Sequence, residues 1–280
     1  MVSFRIPLPA RGTDLAATSY GPDGGPLVLC IPGISATRRT FERVAGAWAG
    51  RGLRVVALDL RGRGESPPGR LYTAGWDAHA EDVAHAMEVL GARRAQLVGH
   101  SMGAYVAMAA AGRWPHRVAA VALLDALGVP EAAAAAAVRP ALATLGVVYP
   151  SEAEYLRAVR ATGLFEPWSA PWEAHFRADL VPTAGGVGRR TSAGAVEADR
   201  AFLEAHDPRA LWPRVRCPAL VVRCTAPLAG PLGEGLFIPE SEARAFCAVA
   251  PSAEVLAVPS HHYSVLDDPA AELGVGRFLS

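Results

Sequence analysis

The sequence predicts an α/β fold: a doubly wound, mostly parallel sheet with a mainly helical cap insertion. Three features point to it. Short, almost unbroken apolar runs recur through the first 125 residues, as expected of strands buried on both faces of a parallel sheet. Helix-length segments separate them, the alternation of βαβ units. The alternation stops near Leu127 and resumes after Trp212, which marks residues 127–212 as an inserted cap or lid and residues 1–126 and 213–280 as the core.

Taken in order, the strand candidates are Leu27–Ile31, Arg54–Leu58, Ala95–Val98 and Val118–Leu124, each ending at a Gly, Pro or Asp. The helix candidates between them are about Arg39–Arg51, Trp76–Leu90 and Met102–Arg113. After the insertion come strand Ala219–Arg223, helix Glu240–Ala250, strand Glu254–Val258 and a last helix from Asp268. An insertion between strands of such a sheet belongs at its carboxyl edge, where ligands of open α/β sheets bind.

Composition narrows the functional classes. With 27 basic and 27 acidic residues the formal charge is zero, so neither nucleic acid nor an anionic membrane is an expected partner. A small-molecule substrate is expected, and homo-oligomerisation is left open. The N-terminus has no basic segment followed by a long apolar run, and the Ala132–Ala137 stretch is too short to span a bilayer. Cys30, Cys217, Cys224 and Cys247 are widely spaced without a C-x-x-C pair, which favours reduced, buried thiols in a cytoplasmic protein over a zinc or redox site. No metal or organic cofactor is expected.

Gly99-His100-Ser101-Met102-Gly103 fits G-x-S-x-G between a predicted strand and a predicted helix. A sharp strand-to-helix turn strains the central residue and projects its hydroxyl from the sheet. Glycines on either side remove Cβ atoms that would collide there. The helix N-terminus supplies unpaired N–H groups beside the hydroxyl. Ser101 is therefore the candidate nucleophile. Its base should follow the last strand, where the chain returns to the same sheet edge, and His261 and His262 both stand there. The remaining histidines, His79, His85, His100, His116, His175 and His206, read as packing or solvated groups.

Four blocks carry a resemblance to the α/β-hydrolase fold superfamily, and within it to small bacterial serine esterases: Ile31–Ser35, Asp59–Ser66, the Ser101 turn and the His262 segment. Relatives read G-H-M before a closing L-D-D-P, so counting back from Leu266-Asp267-Asp268-Pro269 implies His262 as the catalytic histidine and places His261 on the glycine. The resemblance implies an oxyanion hole from the backbone N–H groups of Ile34 and Met102, with Pro32 standing where relatives carry a histidine that often braces the loop. Asp59–Ser66 reads as a Gly-rich turn whose charges pin loops near the site.

Most relatives carry the triad acid just after the strand matching Ala219–Arg223. Here that stretch is Cys224-Thr225-Ala226-Pro227-Leu228, with no carboxylate before Glu234. The family's second location, after the strand that follows the nucleophile helix, holds Asp125. The resemblance thus implies Ser101, His262 and Asp125, with Glu234 or an acid-free dyad as alternatives. A serine nucleophile predicts an acyl-enzyme, in contrast to the aspartate of dehalogenases and epoxide hydrolases. The implied activity is hydrolysis of a carboxylic ester, lactone or thioester. Carbon–carbon bond hydrolysis by the same triad, and a binding protein that has lost its chemistry, are the alternatives.

The insertion is rich in aromatics: Tyr149, Tyr155, Phe165, Trp168, Trp172, Phe176, Phe202 and Trp212. They read as cap core or as an apolar pocket for an aromatic or alkyl group. Gly185, Gly186 and Gly188 are candidate lid hinges. Arg189 and Arg190 read as a solvated pair or a clamp for a substrate carboxylate.

Overall fold

The computed structural model describes residues 1–230 and 232–280. In chain order its elements are β1 (Val2–Leu8), β2 (Thr13–Tyr20), β3 (Leu27–Ile31), α1 (Glu42–Ala49), β4 (Arg54–Leu58), α2 (Trp76–Val89), β5 (Ala95–His100), α3 (Met102–Arg113) and β6 (Val118–Leu124). Then come α4 (Ala132–Ala137), α5 (Arg139–Leu142), α6 (Glu152–Arg160), α7 (Ala170–Ala178), β7 (Leu180–Thr183), β8 (Gly186–Arg189) and α8 (Ala193–Ala205). The chain closes with β9 (Ala219–Cys224), β10 (Leu228–Gly230), β11 (Gly233–Gly235), α9 (Glu240–Val249), β12 (Ala253–Val258) and α10 (Pro269–Phe278).

Eight strands form the main sheet in the order β1-β2-β4-β3-β5-β6-β9-β12. The β1–β2 and β2–β4 pairs are antiparallel and the rest are parallel. Every residue of LVLCI in β3 is buried, as are four of the five in β4, because helices cover both faces of the sheet. One face packs on α2, α3 and α9 through Trp76, Val83, Met87, Val106 and Phe246. The other packs on α1 and α10 through Val44, Trp48 and Val275. The chain leaves β3 for β4 on one side and returns to β5 on the other. That reversal opens a crevice beyond the carboxyl ends of β3 and β5, the place where such sheets take ligands.

The segment between β6 and β9 carries α4 to α8 and one antiparallel ribbon, β7–β8. The ribbon contains the predicted hinge glycines, and it corrects that expectation. Val187 exchanges two 2.8 Å backbone bonds with Tyr149, and a Cβ on Gly186 would stand 2.0 Å from the Tyr149 carbonyl oxygen. Gly186 is there to let two backbones meet, so the ribbon is zipped down. Among the described residues no helix is long and apolar enough to cross a membrane.

Candidate active site

Three sheet ends converge on the crevice: the Gly33 loop after β3, Ser101 after β5, and Asp125 after β6. Ser101 sits at the N-cap of α3 with φ 55° and ψ −127°, a conformation that side-chain-bearing residues rarely adopt. The neighbouring glycines make that turn feasible. A Cβ on Gly99 would lie 2.2 Å from the Gly103 carbonyl oxygen, and one on Gly103 would lie 2.0 Å from the Ile31 carbonyl oxygen. A serine at an N-cap usually spends its hydroxyl on the helix. Ser101 makes no such bond, so its Oγ faces the cavity instead.

Asp125 and His262 meet directly. Asp125 Oδ2 lies 3.0 Å from His262 Nδ1, and both side chains are buried. Asp125 Oδ1 accepts a 3.0 Å bond from the backbone N–H of Cys224, and its own N–H bonds to the Val222 carbonyl oxygen. Asp125 also has a positive φ, 46°, which turns its carboxylate toward His262. A hydrogen bond to a carboxylate requires the proton on Nδ1, so in the neutral imidazole the lone pair lies on Nε2. Phe237 stacks on the imidazole at 3.6 Å between centroids, and His100 Nε2 donates to the His262 carbonyl oxygen at 2.8 Å. Burial first, and then the neighbouring His262, push the pKa of His100 down to about 3, so it stays neutral.

Ile34 and Met102 line the same cavity as Ser101 and His262. Met102 opens α3, where backbone N–H groups lack helical partners. Gly33 packs against Ser101: a Cβ there would stand 3.2 Å from the serine Cβ.

The other candidates lie elsewhere. Glu234 is exposed on the β10–β11 ribbon. It makes no contact with His262, because that ribbon packs beneath α4, where Gly235 approaches the Ala134 backbone. His261 points the other way, with Nε2 against the Glu166 carbonyl oxygen and Nδ1 accepting from the Tyr263 and Ser264 N–H groups. Arg189 and Arg190 are not a solvated pair. Arg190 is exposed, whereas the Arg189 side chain is 3% exposed and ion-paired to Asp179 at 2.8 Å. Burial opposes the charge of Arg189, but Asp179 prevails and raises its pKa.

The cavity holds about 590 Å³, within the range of small-molecule sites. Phe165, Trp172 and Phe176 from the inserted segment form its apolar wall together with Tyr263. The remaining predicted aromatics pack: Tyr155 is fully buried, Tyr149 meets it edge-on, Trp168 stacks on Phe176, Phe202 meets Trp76 edge-on, and Trp212 bonds the Leu127 carbonyl oxygen. His175, read as a packing or solvated residue, also borders the cavity. Burial, then Arg189 and Arg39, lower its pKa to about 3. Phe237, His100 and His175 carry no local sequence signal, since only the fold brings them to the site.

Comparison with known proteins agrees with this architecture. A family model described as alpha/beta hydrolase fold matches residues 26–157. Lipase LipV of Mycobacterium tuberculosis is 34% identical over 161 residues, covering 56% of this chain and 58% of LipV. Alignments to the first curated relatives span between 33% and 58% of their lengths. Among solved structures, a hypothetical protein of Pseudomonas aeruginosa PAO1 is 30% identical with a TM-score of 0.72, covering 99% of this chain and 97% of that one. E-2-(acetamidomethylene)succinate hydrolase has a TM-score of 0.84 at 23% identity, covering 99% of this chain and 98% of its own, a likeness of fold. With its parallel sheet, its strained serine turn and a close relative in fold along its whole length, the chain belongs to the α/β-hydrolase family.

Proposed function

We propose that the protein is a serine hydrolase that cleaves a carboxylic ester, or the chemically related lactone or thioester, of a small apolar or aromatic substrate. The observation that carries this reading is the 3.0 Å contact between Asp125 and His262 on the cavity that Ser101 faces. In the proposed cycle, Ser101 Oγ attacks the acyl carbon while His262 Nε2 takes its proton. Asp125 holds the Nδ1 proton and stabilises the imidazolium. The N–H groups of Ile34 and Met102 face the oxygen as it gains charge, and His262 then protonates the leaving group. Water, deprotonated by the same imidazole, releases the acid from the acyl-enzyme. The segment between β6 and β9 acts as a cap whose aromatic wall takes the apolar part of the substrate.

Reaction with a fluorophosphonate, followed by intact mass, tests the activated serine. One adduct is expected on the wild type and none on Ser101→Ala. An unlabelled wild type sinks the reading in favour of a binding protein that keeps the fold. A panel of aryl esters, lactones and thioesters then ranks the acyl classes, and turnover of a diketone but of none of these would replace ester cleavage by carbon–carbon cleavage.

A further inference from the structure

We propose that the inserted segment sets the geometry of the oxyanion loop through two buried arginine–aspartate pairs that grip successive carbonyls of that loop. The proposal rests on the reading of Ile34 N–H as an oxyanion donor. Arg63 Nε donates to the Ile34 carbonyl oxygen at 2.8 Å, and Arg189 Nη2 donates to the Ser35 carbonyl oxygen, also at 2.8 Å. Both bonds fall immediately after the peptide whose N–H would meet the substrate. The loop's own turn bond, Ala36 N to Gly33 O, is longer at 3.2 Å.

Each guanidinium is oriented from the inserted segment. Asp199, on α8, bonds Arg63 Nη2 at 2.5 Å and the Gly75 N–H at 2.6 Å. Tyr72 bridges the pair, accepting from Arg63 Nη1 and donating to Asp199. Burial works to raise the pKa of Asp199, but the bonds from His79, Arg63 and Tyr72 hold it well below the usual carboxylate range. Asp179 holds Arg189 Nε, while Thr144 accepts from Nη1. Asp179 also fixes Thr191, whose hydroxyl takes the Gly64 N–H at 3.1 Å, and Ser192 N–H bonds the Gly62 carbonyl oxygen at 2.8 Å. The Asp59–Ser66 turn is thereby stitched to the inserted segment on the side away from the substrate.

Buried ion pairs add little net stability, because desolvation consumes much of the attraction. Here they do something an apolar contact cannot: they fix two carbonyl directions at once. Pro32 stands beside this loop and has neither a hydrogen-bonding side chain nor an N–H. The arginines brace the loop through its carbonyls. Arg63 does not border the cavity, so it is a positioning residue, whereas Arg189 borders it as well.

The test uses the full chain and four readouts: kcat, KM, inhibition by an aryl trifluoromethyl ketone, and Tm. The ketone adds to serine and leaves an oxyanion in the hole. Arg63→Lys cannot reproduce a three-way fork. It is expected to lower kcat about tenfold to a hundredfold and weaken the ketone by the same factor, with KM within about twofold at temperatures well below Tm. Tyr72→Phe removes the hydroxyl that bridges Arg63 and Asp199 and leaves the ion pair itself. It should give the same pattern at about twofold to fivefold, and it decides the matter if Arg63→Lys does not fold. Wild-type kcat and ketone affinity in a variant whose Tm alone has dropped would reduce the pairs to scaffold and overturn the proposal. A wild type that takes no fluorophosphonate removes the hydrolase reading and this proposal together; a labelled wild type with unaffected variants removes this proposal alone.

Discussion

Asp125 is constrained on both oxygens and on its backbone, which is what an imidazole partner needs in order to keep one tautomer. Asp125→Asn keeps the shape but presents an amide to Nδ1. In the proposed mechanism kcat for an aryl ester should fall by about three to four orders of magnitude. Glu234→Gln, on an exposed ribbon, should stay within about twofold. Steady-state kinetics on the two variants decides the acid, and loss of turnover in the Glu234 variant alone would reverse the assignment. The residues of this site differ in how far the sequence reveals them. Ser101 is legible because its requirements are local: two glycines, a strand before it and a helix after it. His262 needs a register count against Leu266–Pro269. Asp125 depends on β6 lying between β5 and β9, which no local pattern states. Arg189 is misread as solvated because its partner Asp179 closes over it only when β8 folds back on β7.

At the scale of elements, the turn between β5 and α3 is the least forgiving part of the chain. Gly99→Ala and Gly103→Ala each push a methyl into backbone at 2.2 and 2.0 Å, where no side chain can swing away. Urea unfolding should show losses of about 3 kcal/mol or more, or no folded protein at all. Gly46 is the contrast: it lies within α1, and a methyl added there would meet nothing within 4 Å. Gly46→Ala should raise stability by about 0.5–1 kcal/mol in the same experiment. The buried parallel strands and their helices are legible because apolar runs and helical periods announce them. β2 is not, since apart from Leu15 TDLAATSY is built of small and polar residues although its last six are buried. β1 alternates Phe4, Ile6 and Leu8 inward, but Pro7 argues against a strand and fits only because β1 is the edge of the sheet.

For the whole molecule, the buried histidines set a dependence of stability on acidity. His100 and His175 have folded pKa values near 3 against 6.5 for the free side chain. Between pH 6.5 and 3 the unfolded chain binds protons that the folded chain refuses. Stability therefore falls on acidification through that window, by up to about 1.4 kcal/mol per pH unit for each histidine. Above pH 6.5 both are neutral in either state and contribute nothing. Urea titrations of wild type and His175→Gln at about pH 7.5 and about pH 5 should show a smaller loss in the variant, and equal losses would show that His175 takes up a proton in the fold.

Placing the acid at the end of β6 has a consequence for how this chain can change over time. In the proposed mechanism the stretch from Thr225 to Phe237 owes the reaction only the aromatic face of Phe237. That stretch forms a short ribbon on which Gly230 and Gly235 let α4 settle. Insertions and drift at the tip of that ribbon should be tolerated by turnover, whereas the same changes beside Asp125 should not. A library randomised at Leu232–Glu234 and sorted for esterase activity would reveal a permissive stretch, and a route by which the chain can vary the surface beside α4 without touching its proton chemistry.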